Sequence, residues 1–572
     1  MSTAPRDTIL ICGGGVMQLP AIRIARDEGL RVVVADGNPS CPGRSEADVF
    51  EHIDLKDDSS LTDCARSHRV QAVFTAGTDF SLTVARVAAA CGLPGVSVDA
   101  AMHATDKALM RARLLSAGVS VPPYAVYRNG RITDGYDEVP LPAVVKPVAS
   151  MGARGVRRIT QPAELEPAIE AAVEFSRDGR VIVESFIPGE EYSIDCLVTP
   201  HERILCGIAD RHIAIPPNFV EVGHTIPSAL SSESVELLVH EFYSAVDAIG
   251  ICGGAAKGDI FFVDENRRPE WLAGEGPAVV VGEIAARLSG GYMSGWTYPY
   301  SSGVEPTRGA IRIALGREPR TGDVTRCNIV AERAIMSIPG VLETDIDADR
   351  LSHVPGVQEC FLSRSAGDAV SIPKNNVEKC GNLIVVGASR EELDERVDTV
   401  LRSVRIPLRT RDRTTWSFLL GPELPAQTVY AADHRFHGPL HPPQDRADER
   451  MYIGMLSACT GSLREQRGQE AATPLQRSSL SSVSACIEEI PAAYRGSPER
   501  DLHGYTRLEA LNTAPLEYGG GRVFVDPRLA ACAFLLACER GGLQGLRYVI
   551  DTLIEEESCR ILLELLGQWY AS

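Results

Sequence analysis

Apolar and polar positions alternate along the first hundred residues in a repeating order. Residues 8–15, TILICGGG, are a short apolar run closed by three glycines. Residues 18–30, QLPAIRIARDEGL, space their apolar side chains for one face of a helix, and residues 31–39, RVVVADGNP, are a second apolar run. A third run follows at 71–80, QAVFTAGTDF, and a second helical pattern at 81–93, SLTVARVAAACGL. Short, nearly continuous apolar runs alternating with helices predict a parallel sheet buried on both faces, with right-handed crossovers. The glycines suggest a dinucleotide fingerprint, and Asp36 stands where a ribose-binding acid would stand. The third glycine of G-x-G-x-x-G is missing, however, because Gly13-Gly14-Gly15 runs into Val16-Met17-Gln18. A tight strand-to-helix turn, or backbone N–H groups facing an anionic substrate, remain as the other readings.

The pattern changes after residue 104. Residues 105–124, TDKALMRARLLSAGVSVPPY, read as a capping residue followed by a helix. Lys107 falls in the first turn, where a cation opposes the helix dipole, so an anionic ligand nearby would explain it. At 144–156, VVKPVASMGARGV, a β-branched run ends at Lys146 and gives way to small residues with Gly152 and Gly155. Residues 156–159, VRRI, then resume as a strand, which makes a hairpin whose N–H groups could lie over phosphates. The lysine precedes the glycines here, whereas a P-loop places it after them. A helix at 163–175 and two strands within 180–198, RVIVESFIPGEEYSIDCLV, come next. Glu191 enters the alternating stretch EYSIDCLV, so its carboxylate points to the covered face of that strand.

Composition narrows the function. The 572 residues exceed what one core supports, and three or four domains are expected. A formal charge of −19 argues against nucleic acid or an anionic membrane as partner. No apolar run reaches the length of a membrane span, and the N-terminal stretch has no signal-peptide pattern, so a cytoplasmic location is expected. The 15 cysteines are scattered without a CxxC pair, which suits reduced thiols used as small hydrophobes.

Taken in order, these motifs resemble the ATP-grasp superfamily of carboxylate–amine ligases. The hinge pattern E-x-x-x-x-G-x-E of that family is present as Glu184, Gly189 and Glu191. The resemblance implies that Lys107 and Lys146 are the two phosphate lysines and that Ser150, Met151, Gly152, Gly155 and Val156 belong to the hairpin cover. It further implies that Glu184, Ser185, Phe186 and Ile187 hold adenine and that Glu191 holds the ribose hydroxyls. The sequences AAKGDIFFVD (255–264) and VVVGEIAARLSGGYMSG (279–295) then supply Asp259 and Glu283 as Mg²⁺ ligands, with Mn²⁺ as an alternative ion. Mg²⁺ prefers hard oxygens and a few carboxylates beside substrate phosphates. Arg287 becomes the arginine of E-x-N-x-R, although Ala285 replaces the asparagine, as in many relatives with EIAAR. Arg211, Glu221, Gly223 and His224 match a segment of related ligases. His224 is expected to reach the γ-phosphate or acyl phosphate, and Lys257 to steady a phosphate or substrate carboxylate from the face that carries Asp259.

The expected fold is therefore a multidomain α/β and α+β chain, with an ATP-grasp core, an N-terminal Rossmann-like domain and a helical C-terminal extension. The expected boundaries are 1–104, 105–305 (the ATP-grasp lobes), 306–408 (a bracing subdomain) and 409–572. The expected function is ATP- and Mg²⁺-dependent activation of a small-molecule carboxylate as an acyl phosphate, for attack by an amine. Two alternatives are a bicarbonate-activating, carbamoyl-phosphate-synthase-like enzyme and a non-catalytic ATP sensor. In the extension, His434, His437 and His441 lack a zinc-site spacing. Residues 477–484 read as a serine-rich connector. Residues 526–570 read as amphipathic helices whose apolar faces need a partner, either the ligase body or a second copy in a homo-oligomer.

Overall fold

The computed structural model describes residues 6–409, residues 412–420 and six helical positions between 537 and 549. It divides into two compact units, one of residues 1–332 with 384–393, the other of 333–383 with 394–572.

The first unit opens with strands β1 (Thr8–Cys12), β2 (Arg31–Asp36), β3 (Val49–His52) and β4 (Ala72–Phe74). They form a four-stranded sheet in the order β3-β2-β1-β4, parallel in each pairing, with Ile9 opposite Val32 on one side and Ala72 on the other. Every residue of β1 is buried, as a strand covered on both faces requires. Helices α1 (Leu19–Asp27), α2 (Asp58–Ser67) and α3 (Ser81–Ala90) supply the covers. The sequence pattern misses β3, an edge strand with only intermediate or exposed positions, and α4 (Val98–Thr105). The fate of the glycine turn decides among its readings. Gly13 has φ +103°, and a Cβ on Gly14 would lie 2.5 Å from the Cys41 sulfur. The Asp36 carboxylate accepts the Gly14 N–H at 2.7 Å and the Asn38 N–H at 2.7 Å. The acid expected to meet a ribose therefore closes the turn itself.

Helix α5 (Lys107–Ser116) leads into the second sheet, built from β5 (Tyr124–Arg128), β6 (Arg131–Gly135), β7 (Ala143–Pro147), β8 (Arg157–Ile159) and β9 (Arg180–Ser185) in the order β6-β5-β9-β7-β8. The cap of α5 is Asp106, whose carboxylate accepts the N–H groups of Ala108 and Leu109; Thr105 belongs to α4. Helix α6 (Leu165–Val173) packs on this sheet through Ala168 and Ala172.

The third sheet carries β10 (Glu190–Val198), β11 (Arg203–Ala214), β12 (Val220–Ile226), β13 (Gly254–Val263) and β14 (Ala278–Ala285), in the order β14-β13-β10-β11-β12 and antiparallel at each pairing. Helix α7 (Ser232–Ile249) covers one face, where Phe242 and Leu238 meet Ile194, Cys196 and Ile260. The opposite face of β10 presents Glu191, Ser193 and Asp195, because successive side chains alternate.

In the second unit, the short helix Ala348–Ser352 and the strand Val357–Leu362 are neighbours. The described positions of the C-terminal extension also lie in this unit. Gly541 packs against Leu419 and Ile338, Gln544 donates to the Val404 carbonyl, and the Tyr548 hydroxyl donates to the Arg409 carbonyl. The expected histidine cluster, serine-rich connector and most of the expected C-terminal helices lie outside the described residues. So does any oligomer contact those helices would make. No helix among the described residues is long and apolar enough to cross a membrane.

Candidate active site

Helix α5 is the cationic centre of the site. Lys107 and Arg111 stand one turn apart on it, so both project from one face. Lys107 Nζ donates to the Ser150 carbonyl at 3.1 Å and lies 3.4 Å from Glu283 Oε1. Arg111, fully buried, places its guanidinium 2.8 Å from Glu184 and donates at 2.6 Å to the Gly282 carbonyl. Lys146 reaches the same carboxylate at 2.6 Å. Burial alone would raise the pKa of Glu184, but Arg111 and Lys146 outweigh it and hold the carboxyl at about 2. Burial in turn draws the Lys146 ammonium below its ordinary value.

The loop between β7 and β8 arches from Lys146. Gly152, Ala153 and Gly155 all have left-handed φ angles. At Gly155 a Cβ would sit 2.9 Å from the Phe175 ring, so only glycine fits. The Val156 N–H closes on the Ala153 carbonyl, and Arg154 donates to the Met151 carbonyl at 3.0 Å. Beyond β9, the Ser185 N–H is bound to Pro123 and the Phe186 N–H to Pro142. Ile187 packs with Val263 and Val280. The Arg158 guanidinium lies 4.1 Å over the Phe186 ring. The side chain of Glu184 is thus committed to two cations, and the stretch expected to hold adenine meets its surroundings through backbone and apolar groups.

The acids expected as metal ligands face each other. Asp259 of β13 is the cross-strand partner of Glu283 of β14, despite the long intervening turn. Asp259 accepts from the Ser193 hydroxyl at 2.9 Å, lies 2.8 Å from Arg211, and pairs with Lys257. Burial would raise its pKa, but Arg211 and Lys257 hold it below the carboxylate range. Glu283 is likewise held low, by Lys107 and Lys257 against burial. Both acids therefore offer ionised hard oxygens on one strand pair, a donor set that suits Mg²⁺. Lys257 lies directly across from Ala285 and on the face of Asp259.

Arg211 bridges three acids: Glu191 at 2.5 Å, Glu221 at 3.0 Å and Asp259. Glu191 must share this cation. Burial, partly offset by Arg211 and aided by the Asp259 charge, pushes its carboxyl up to about 7. Arg287 donates to the Thr78 and Leu288 carbonyls at 2.8 and 2.9 Å and approaches the Met151 sulfur at 3.9 Å. It therefore joins the loop after β4 to the glycine-bearing loop. His224 has no exposed surface. Its Nε2 lies 2.9 Å from the Thr297 hydroxyl and its Nδ1 3.6 Å from Glu332, so it sits beneath the cleft rather than open to it.

Two residues escaped the sequence reading. Arg111 was absorbed into an ordinary helical pattern, although its i,i+4 spacing from Lys107 was a usable signal. Asp195 shares the parity of Glu191 and Ser193 on β10. It accepts the Ser289 N–H at 2.7 Å and the Tyr298 hydroxyl at 2.8 Å, which anchors the segment after β14. Burial raises its pKa despite these donors.

The chain is similar to known proteins over part of its length. Residues 139–266 match the ATP-grasp domain, and residues 333–409 match the L-amino acid ligase C-terminal domain 2. The chain is 25% identical over 344 residues to the uncharacterized protein y4rH of Sinorhizobium fredii, covering 59% of this chain and 68% of that protein. It is 23% identical over 345 residues to carnosine synthase 1 of Homo sapiens, covering 55% of this chain and 40% of that one. Among solved structures it is similar to an L-amino acid ligase from Bacillus licheniformis, with a TM-score of 0.60 and 21% identity over 71% of this chain and all of the other. That likeness is one of fold.

Proposed function

We propose, on the premise that the chain is an ATP-dependent carbon–nitrogen ligase of the ATP-grasp type, that it joins an amino acid carboxylate to an amine through an acyl phosphate. The observation that carries this reading is the facing pair Asp259 and Glu283, set among Lys107, Lys257 and Arg211. The L-amino acid ligase domain at 333–409 favours amino acids over bicarbonate as the class activated.

In this reading a substrate carboxylate oxygen attacks the γ-phosphorus and ADP leaves. The amine then attacks the acyl carbon and phosphate leaves. Lys107 and Lys146 bind phosphoryl oxygens, and the 150–156 loop covers them. Residues 184–187 hold adenine, and Glu191 holds the ribose. Asp259 and Glu283 would hold Mg²⁺, which when bound offsets charge on the phosphoryl oxygens. Mn²⁺ would suit the same donors. Arg287 grips the acyl phosphate bidentately, and Lys257 steadies the substrate carboxylate. His224 acts from below as a positioning residue for the segment at Thr297. Such a site works by orientation and preorganised charge, without a covalent enzyme intermediate.

The test is ADP release with Mg²⁺ and a panel of L-amino acids, offered singly and in pairs. Turnover that needs both a carboxylate and an amine, with a new amide seen by mass spectrometry, supports the reading. ATP binding without turnover on any pair would replace it with the sensor.

A further inference from the structure

The N-terminal sheet carries a second group of ligating side chains with no role in the chemistry above. Cys64 lies in the last turn of α2, and His68 is the residue that caps this helix. Their i,i+4 spacing sets both on one side of the helix end. Glu51, on the edge strand β3, faces them. The His68 Nε2 is 2.7 Å from Glu51 Oε1, and one ligand atom from each of the three residues lies within 4.8 Å of the other two. Among the described residues this is the only such group of three found. We propose that Glu51, Cys64 and His68 form a binding site for a divalent transition metal, with Zn²⁺ as the best match, that clasps the end of α2 to the edge of the sheet.

The donor chemistry selects the ion class. A thiolate, an imidazole nitrogen and a carboxylate oxygen are borderline-soft donors that suit Zn²⁺, while Mg²⁺ prefers an all-oxygen set. Charge also balances: one thiolate and one carboxylate neutralise a divalent ion. Cys64 is buried and belongs to the same apolar cluster as Leu61, Ala65 and Val33, whereas the His68 and Glu51 side chains are 19% and 37% exposed. Metal and a fourth, water ligand can thus enter from the open side. A cysteine binds metal only as its thiolate, so the ion must take the place of the thiol proton. Binding therefore displaces one proton from sulfur to solvent, and no oxidant or reductant takes part. An ion pair over a buried thiol explains Glu51 and His68, but not why the thiol completes their triangle.

The site is separable from the ATP cleft because that cleft's acids include no sulfur ligand. The full-length chain, stripped with EDTA, would be titrated with Co²⁺ as a spectroscopic stand-in for Zn²⁺. The expected result is a sulfur-to-cobalt charge-transfer band at one equivalent, bleached by Zn²⁺, with about one proton released per metal at pH 7. Cys64→Ser should abolish the band. His68→Gln should weaken cobalt binding at least about tenfold, since even the loss of a group that only supports a ligand costs that much. Asp259→Asn should leave the band intact. Zn²⁺ should raise the melting temperature of the wild-type chain and not of Cys64→Ser. No band at saturating cobalt, on a chain whose circular dichroism and ATP-dependent thermal shift are unchanged, would overturn the proposal. So would a band that persists in Cys64→Ser.

Discussion

Two glutamates of one short motif, Glu184 and Glu191, end in opposite electrostatic states. Glu184 has two cations to itself, Arg111 and Lys146, and is held at about 2. Glu191 pairs directly only with Arg211, which it shares with Glu221 and Asp259, and even with Lys257 nearby it is pushed up to about 7. Burial acts on both in the same direction. What differs is the company: Glu184 has no acid beside its cations, while Glu191 also feels the charges of Asp259 and Glu221. The difference separates a carboxylate held charged between two cations from one that burial pushes toward neutrality.

The largest expected effect comes from making Glu184 resemble Glu191. Arg111→Met leaves a buried carboxylate with one partner and removes the donor to the Gly282 carbonyl. A loss of about 3–5 kcal/mol in urea unfolding is expected, as when one member of a buried pair is removed. The pH dependence follows with its sign. The depressed Glu184 pKa contributes stability above the ordinary value of 4.5 that is lost as pH falls toward about 2. In Arg111→Met this acid-side loss should shrink. Arg111→Lys should restore part of the stability, while an unchanged unfolding midpoint in Arg111→Met would show that the guanidinium is no strut.

Next in size is the facing acid pair. Asp259→Asn should lower ATP turnover by about 10²–10³-fold, the scale for one preorganised electrostatic group. A steady-state comparison with the wild-type chain checks this. Far-UV circular dichroism should be unchanged, because Ser193 can still bond the amide.

A smaller effect sharpens the Glu191 side. Between the ordinary value of 4.5 and about 7, the folded chain keeps a proton that the unfolded chain has lost. Stability without nucleotide should therefore fall as pH rises through that window, with a slope of at most about 1.4 kcal/mol per pH unit. Glu191→Gln should remove this component, which chemical unfolding at pH 5, 6 and 7 would reveal. The smallest effect belongs to the N-terminal turn. Asp36→Asn weakens two backbone caps and should cost about 1 kcal/mol in thermal unfolding. Added NAD should shift the melting temperature of neither form.

Much of the fold was legible because long-range order coincided with local pattern. The β1–α1–β2 unit, the hairpin around Lys146 and the strands flanking Gly189 all announce themselves by apolar period and glycine position. The edge strand β3 did not, because an edge with half-exposed positions lacks the apolar run that marks a buried strand. Helix α4 followed too closely on α3 to be separated by periodicity. In the site, Lys107, Lys146, Asp259, Lys257 and Glu283 were legible as residue types at telling positions. Arg111 and Asp195 were not, because their roles depend on partners 73 and 103 residues away. The local motif around His224 says nothing of its burial, and its enclosure beside Thr297 and Glu332 depends on elements distant in sequence.

By itself the sequence determined the succession of strands and helices, the placement of glycine where only a left-handed backbone serves, and the supply of cations and acids to the cleft. Those follow from side-chain period and from the steric freedom of single residues, which are local properties. Only the tertiary structure decided which cation neutralises which acid, so that Glu184 is held charged, Glu191 is pushed toward neutrality, and Asp36 closes a turn. A carboxylate's state depends on burial and on charges a few ångströms away, and those neighbours come from distant parts of the chain.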